Sequence, residues 1–94
     1  MSVARITTIN FKSKEDADKS IQDYSANAPS EFPEAEQLLQ FRANSTTVMA
    51  ISLYSDNEAM ERASVARSKR IGANENKFEV VDTKTGEITL NHKK

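Results

Sequence analysis

The chain has no cysteine and no tryptophan, and only one histidine, two glycines and two prolines in 94 residues. Without cysteine there is no disulfide framework, no thiolate metal site and no cysteine nucleophile. Two glycines, Gly72 and Gly86, are too few for a glycine-rich phosphate loop. His92 follows the last expected strand and reads as a solvated tail residue. No His, Asp and Glu spacing suggests converging metal ligands, and no serine has a histidine near it to serve as general base. Neither a metal nor a cofactor is expected.

An excess of charge of either sign is also missing. The 13 basic and 14 acidic residues are interspersed and leave a net charge of −1. Nucleic-acid affinity rests largely on neutralising phosphates, so nucleic acid is not an expected partner. No apolar run approaches the ~20 residues of a membrane helix. The opening Met1-Ser2-Val3-Ala4-Arg5 has no basic region followed by an apolar stretch. A soluble, cytoplasmic chain with no membrane partner is the expectation.

Strong core formers are scarce as well: four Leu, six Ile, five Val and four Phe, 19 residues in all. That is close to the ~20% level at which highly charged chains stay disordered, but the near-zero net charge argues against disorder here. The length suits a single domain, residues 1–94, and a domain this small buries only roughly 60–65% of its surface.

What is present has clear local order. Residues 3–11 are rich in β-branched side chains and read as a strand. Ser13-Lys14-Glu15-Asp16 offers a hydroxyl cap with an acid three residues on, and Ala17, Ile21, Tyr24 and Ala28 follow at helical spacing. Pro29 and Pro33 should close that helix and leave a loop anchored by Phe32. Residues 37–43 and 46–54 read as two more strands around an Asn44-Ser45 turn. Ser55-Asp56-Asn57-Glu58 is a capping box for a second helix, and Gly72 is its expected stop. A fourth strand over 77–83, a hairpin at Lys84-Thr85-Gly86 and a short fifth strand over 87–91 complete the pattern.

An internal repeat adds topology. Ile9-Asn10-Phe11-Lys12-Ser13-Lys14-Glu15-Asp16-Ala17 lies over Ile51-Ser52-Leu53-Tyr54-Ser55-Asp56-Asn57-Glu58-Ala59 with a period of 42. Both copies encode a strand, a capped junction and a helix. This predicts an α+β, ferredoxin-like βαββαβ sandwich whose antiparallel sheet has order 4-1-3-2, plus the short C-terminal strand. Alternation along strands then assigns faces. With Ile9 and Phe11 matched to Ile51 and Leu53, these four and Met49 are expected to face the helices, together with Arg5 and Thr7. The other face would carry Ile6, Thr8, Val48, Ala50, Ser52 and Tyr54, a mixed surface of small apolar and hydroxyl groups suited to packing on a second sheet. A lean core completed by self-association predicts a homodimer.

With these junctions the chain resembles the dimeric α/β-barrel superfamily, which includes the antibiotic-biosynthesis-monooxygenase-like domains. The resemblance is carried chiefly by the third strand and the helix start that follows, Ile51 to Ala59, and spans nearly the whole chain. It implies two subunits packed sheet on sheet into a dimeric α/β barrel, and cofactor-independent oxygenase-like chemistry in the helix–sheet cleft. Haem-degrading members use an Asn on the first strand, a Trp ending the third and a His on the second helix. Here Tyr54 replaces the Trp and residues 56–71 contain no His, so haem degradation is not expected.

The face assignment would line that cleft with Arg5, Thr7, Tyr24, Met49, Leu53 and Met60. These residues could hold a small, partly apolar anion with Arg5 as its charge partner; alternatively, Arg5 pairs with Asp56 or Glu58. Two functional readings remain open at this point. One is a homodimeric small-molecule-binding protein, monooxygenase-like in its chemistry. The other is a non-enzymatic dimeric interaction or stress-response protein with no small-molecule site.

Overall fold

A computed structural model describes residues 2–92 and 94. The elements run β1 (Val3–Phe11), α1 (Lys14–Glu31), β2 (Gln37–Arg42), β3 (Thr47–Tyr54), α2 (Asn57–Asn74), a 3-10 turn (Glu75–Lys77) and β4 (Phe78–Glu87). The four strands form one sheet in the order β2-β3-β1-β4, with every neighbouring pair antiparallel. This is the expected ferredoxin-like α+β arrangement, with both helices on one face. Among the described residues no helix is long and apolar enough to cross a membrane.

Local chemistry explains where the elements start. The Ser13 hydroxyl accepts the Asp16 N–H, and Glu15 and Asp16 place negative charge at the helix N-terminus. For α2 the cap is Asp56, whose carboxylate accepts the Ala59 N–H at 2.8 Å. Between β2 and β3 the Asn44 side-chain oxygen accepts the N–H groups of Thr46 and Thr47, an Asx-type turn.

Three expected stops are not stops. Pro29 lies within the last turn of α1, which continues to Glu31. Near a helix end the missing N–H removes one bond only, and the Phe32 N–H closes the turn onto the Ala28 carbonyl at 2.9 Å. Phe32 is buried and anchors the loop that follows. Gly72 stays helical, and α2 runs on to Asn74, whose side chain donates to the Arg70 carbonyl. The hairpin at residues 84–86 does not form, and among the described residues no fifth strand follows it. Instead β4 continues unbroken, pairing Lys84, Thr85 and Gly86 with Ile6, Arg5 and Ala4. The long edge of β1 offers these residues ladder hydrogen bonds, and Gly86 lacks the positive φ that a tight hairpin turn requires.

The register also corrects the faces of β3. Val3, Arg5, Thr7 and Ile9 lie directly opposite Tyr54, Ser52, Ala50 and Val48, and Val3, Arg5, Thr7, Val48, Ser52 and Tyr54 are buried against the helices. Val48, Ala50, Ser52 and Tyr54 therefore face inward, whereas Met49, Ile51 and Leu53 lie on the open face with Ile6 and Thr8. The caps locate the error. Ser13 corresponds structurally to Asp56, not to Ser55, so the two halves are related by 43 positions rather than 42. A slip of one residue moves every side chain of a strand to the other face.

The core is divided. One cluster gathers Val3, Ala28, Phe32, Tyr54, Ala59, Met60 and Ala63; the other holds Phe11, Ala17 and Val48, flanked by Ile9, Ile21 and Phe78. In the second, Phe11 and Phe78 meet edge to face with ring centroids 5.2 Å apart. The candidate site lies between the two clusters.

Candidate functional site

The space between the helices and the sheet is not filled. A cavity of about 70 Å³ is lined by side chains from β1, β2, β3 and both helices, with Phe78 of β4 at one end. A water needs roughly 10–15 Å³, so there is room for a small ligand rather than a single solvent molecule. The walls are Ile9, Phe11, Phe32, Leu38, Val48 and Ile71, with Tyr24 and Tyr54 adding phenol-bearing rings. An apolar chamber with a few convergent polar groups is the usual form of a ligand site.

Arg5 supplies the most unusual of those groups. It sits on the inner face of β1 and is only 7% exposed. Its Nη2 donates to the Met60 carbonyl at 3.2 Å and to the Ser64 hydroxyl at 2.7 Å. Its Nη1 is buried with no hydrogen-bond partner, although buried donors are normally satisfied. Arg5 pairs with neither Asp56 nor Glu58. The Tyr54 ring lies beneath its guanidinium at 6.0 Å, and Tyr54 is among the most buried side chains described.

Two arginines of α2 reach the same chamber. Arg67 donates to the hydroxyls of Thr7 at 3.2 Å and Thr83 at 2.6 Å. Burial, and then the nearby charge of Arg5, lower its pKa from the ordinary value. Arg70 forms a wall shared by the cavity and a groove on the outer helix surface. It bridges to α1 through Asp23 and Glu31, both at 2.6 Å, with its guanidinium 5.3 Å from the Tyr24 ring centroid. Burial works against the Arg70 charge, but the hydrogen bonds to Glu31 and Asp23 outweigh it and raise its pKa. Burial raises the pKa of the Tyr24 phenol, with a smaller contribution from Tyr54.

Of the residues expected to bind a ligand, Arg5, Thr7 and Tyr24 come together in the lining. Met49 and Leu53 belong to the opposite face, because β3 has the reverse parity. Met60 packs in the first core cluster and offers its backbone carbonyl to Arg5. Of the residues expected at a sheet–sheet interface, Ile6 and Thr8 are on the open face. Val48, Ala50, Ser52 and Tyr54 line the cavity instead. Sequence reasoning missed Arg67, Arg70 and Asn74. A signal was available: Ala59, Ala63, Arg67, Arg70 and Asn74 recur at three- and four-residue steps, which puts the arginines on the stripe that faces the sheet. Among the described residues no group of three or more His, Asp or Glu side chains is placed to hold a metal ion.

No family model matches the chain, and no curated protein matches it. Solved structures do match it over nearly their whole length. A dimeric ferredoxin-like protein from an uncultured marine organism superimposes with a TM-score of 0.80 at 8% identity, covering 99% of this chain and 92% of that one. A variant of SnoaB, a cofactor-independent oxygenase from Streptomyces nogalater, gives 0.76 at 13% identity, covering 96% and 95%. A candidate antibiotic biosynthesis monooxygenase from Chloroflexus aurantiacus gives 0.72 at 9% identity, covering 99% and 98%. At such identities the likeness concerns the fold. The chain has the ferredoxin-like fold shared by the antibiotic-biosynthesis-monooxygenase-like proteins, in agreement with the resemblance carried by its strand-to-helix junctions.

Proposed function

We propose that this protein binds a small, partly apolar molecule in the helix–sheet cavity, with monooxygenase-like chemistry, free of a protein-bound cofactor, as its activity class. The observation that carries the reading is the unfilled chamber between two core clusters, walled by aromatic and aliphatic side chains and supplied with a buried guanidinium. A chain with so few strong core formers would close this space if packing alone governed it, since voids forfeit dispersion contacts. The solved structures of similar fold include a cofactor-independent oxygenase, which supports the activity class. In such chemistry the part of this chain would be to hold the organic molecule away from water and to stabilise charge developing on it, a role within reach of Arg5, Tyr24 and Tyr54.

The binding reading is tested by titrating 15N-labelled protein with 2-naphthoate and with the neutral 2-naphthylmethanol. Amides of residues lining the cavity should shift saturably with at least one probe. Ala50→Leu, which places a larger side chain on the chamber floor, should abolish those shifts while leaving the fold intact. Failure of both probes to shift these amides, or shifts indifferent to Ala50→Leu, would sink the reading.

A homodimer through the open sheet face is the accompanying reading. Leu39 and Phe41 are 47% and 48% exposed there, beside the half-buried Ile6, Met49, Ile51 and Leu53. A contiguous apolar patch of this kind marks an interaction surface, and a solved structure of the same fold is described as dimeric. Sedimentation equilibrium should give twice the chain mass at micromolar concentration; a folded monomer there would refute it.

A further inference from the structure

The cavity lining contains three arginines, Arg5, Arg67 and Arg70, and no Asp or Glu. Arg70 is neutralised by Asp23 and Glu31, which do not line the chamber. Arg5 and Arg67 take part in no ion pair among the described residues. The two sit close together, since Arg67 donates to Thr7, two positions along β1 from Arg5 on the same face. Two like charges brought together, one buried and one half-buried, are costly unless an anion compensates them.

The unsatisfied group points the same way. Arg5, a lining residue, is held by Met60 and Ser64 through Nη2 alone, which leaves its buried Nη1 without a hydrogen-bond partner. The partners of Arg67 are neutral hydroxyls of Thr7 and Thr83. A carboxylate offers two acceptor oxygens, and bonds from guanidinium to carboxylate are roughly twice as strong as neutral ones. Resting on the reading that the cavity takes a small molecule, we infer that Arg5 and Arg67 form a two-guanidinium anion site and that the ligand is an aromatic carboxylate. Its carboxylate would meet Arg5 Nη1 and draw Arg67 from the threonine hydroxyls. Its ring would lie in the apolar part of the chamber near Tyr24 and Phe32.

Arg67 carries the test, because it is half-buried and its removal does not open the core. In the titrations with 2-naphthoate and 2-naphthylmethanol, the carboxylate should bind at least about tenfold more tightly, the ratio expected of one charge-assisted hydrogen bond. Its largest shifts should fall on the amides of Arg5, Thr7 and Arg67. Arg67→Met, which keeps an unbranched stem, should remove most of that preference and leave 2-naphthylmethanol binding unchanged; Arg67→Lys should restore part of it. Equal affinity for the two probes, or a carboxylate preference that survives Arg67→Met, overturns the anion site while the cavity reading stands. If neither probe moves the cavity amides, both fall together.

Discussion

The two faces of the sheet have exchanged the chemistry that exposure alone would assign them. The face covered by helices carries a buried arginine, Arg5, and the hydroxyls of Thr7 and Ser52. The face left open by the fold carries Leu39 and Phe41, both about half exposed. Apolar groups exposed singly are ordinary, but a buried charge without a counter-ion is not. Each face is therefore incomplete in its own way. The inner one holds a guanidinium with no ion pair among the described residues, and the outer one leaves large apolar side chains uncovered.

The largest effect expected from breaking this contrast is on the inner face. Tyr54 is 1% exposed and joins the first core cluster to the Arg5 guanidinium. Tyr54→Ala should cost about 3–5 kcal/mol, the range for deleting a buried aromatic. A domain of this size shifts by about 4–8 °C per kcal/mol, so thermal unfolding should fall by well over 10 °C. Leu39→Ala on the outer face should differ sharply. In dilute monomer it should change stability by no more than about 0.5 kcal/mol, as at other exposed sites. Equal losses in the two variants would mean that the faces are not distinct.

Next in size is the effect on association. Ile51 lies opposite Ile6 on β1 and Leu39 on β2, near the middle of the open face. Ile51→Arg would bury an unpaired charge in a sheet–sheet interface, a cost of about 3–5 kcal/mol to the dimer. Sedimentation should therefore show a dissociation constant raised by more than about a hundredfold. The circular dichroism of the monomer should be retained. A dimer unaffected by this change would place the interface elsewhere.

How far the residues themselves disclosed this contrast depends on the element. The strand–helix order was legible because capping groups, β-branched runs and apolar helical spacing agree from Val3 to Tyr54. The inner position of Arg5 and Thr7 was legible too, since alternation along β1 needed only Phe11 as a reference. The faces of β3 were not, because Ser55 and Asp56 are both competent caps and one position decides the parity of the whole strand. That slip sent Met49 and Leu53 into the cleft and Tyr54 out of it. The end of the chain was misread for a different reason. Lys84-Thr85-Gly86 is good turn chemistry, but the free edge of β1 offers the same residues a full ladder, and no local pattern reports a neighbouring strand. The arginines of α2 recur with Ala59 and Ala63 on one helical stripe, but only the sheet beneath the helix turns Arg67 into a lining residue.

The smallest expected effect concerns the boundary between the chamber and the outer helix surface. Arg70 ties α2 to α1 through Asp23 and Glu31, whose side chains remain 54% and 39% exposed. Solvent screens such pairs, so Arg70→Met should cost only about 1 kcal/mol or less. Its signature is in the pH dependence. The hydrogen bond from Arg70, first among the causes, holds the Asp23 carboxyl below the usual carboxylate range. A carboxyl with a depressed folded-state pKa contributes stability that is present above its unfolded value, about 4, and is lost as pH falls through the folded value. The native chain should therefore lose stability more steeply than Arg70→Met on acidification below about pH 4, and the gap between their urea midpoints should narrow there. At neutral pH the variant should also admit and release 2-naphthoate faster, with its affinity little changed, because Arg70 lines both the cavity and the outer groove and the proposed carboxylate site, Arg5 and Arg67, is untouched. An unchanged pH profile together with unchanged exchange rates would reduce Arg70 to an ordinary surface ion pair, with no part in closing the inner face.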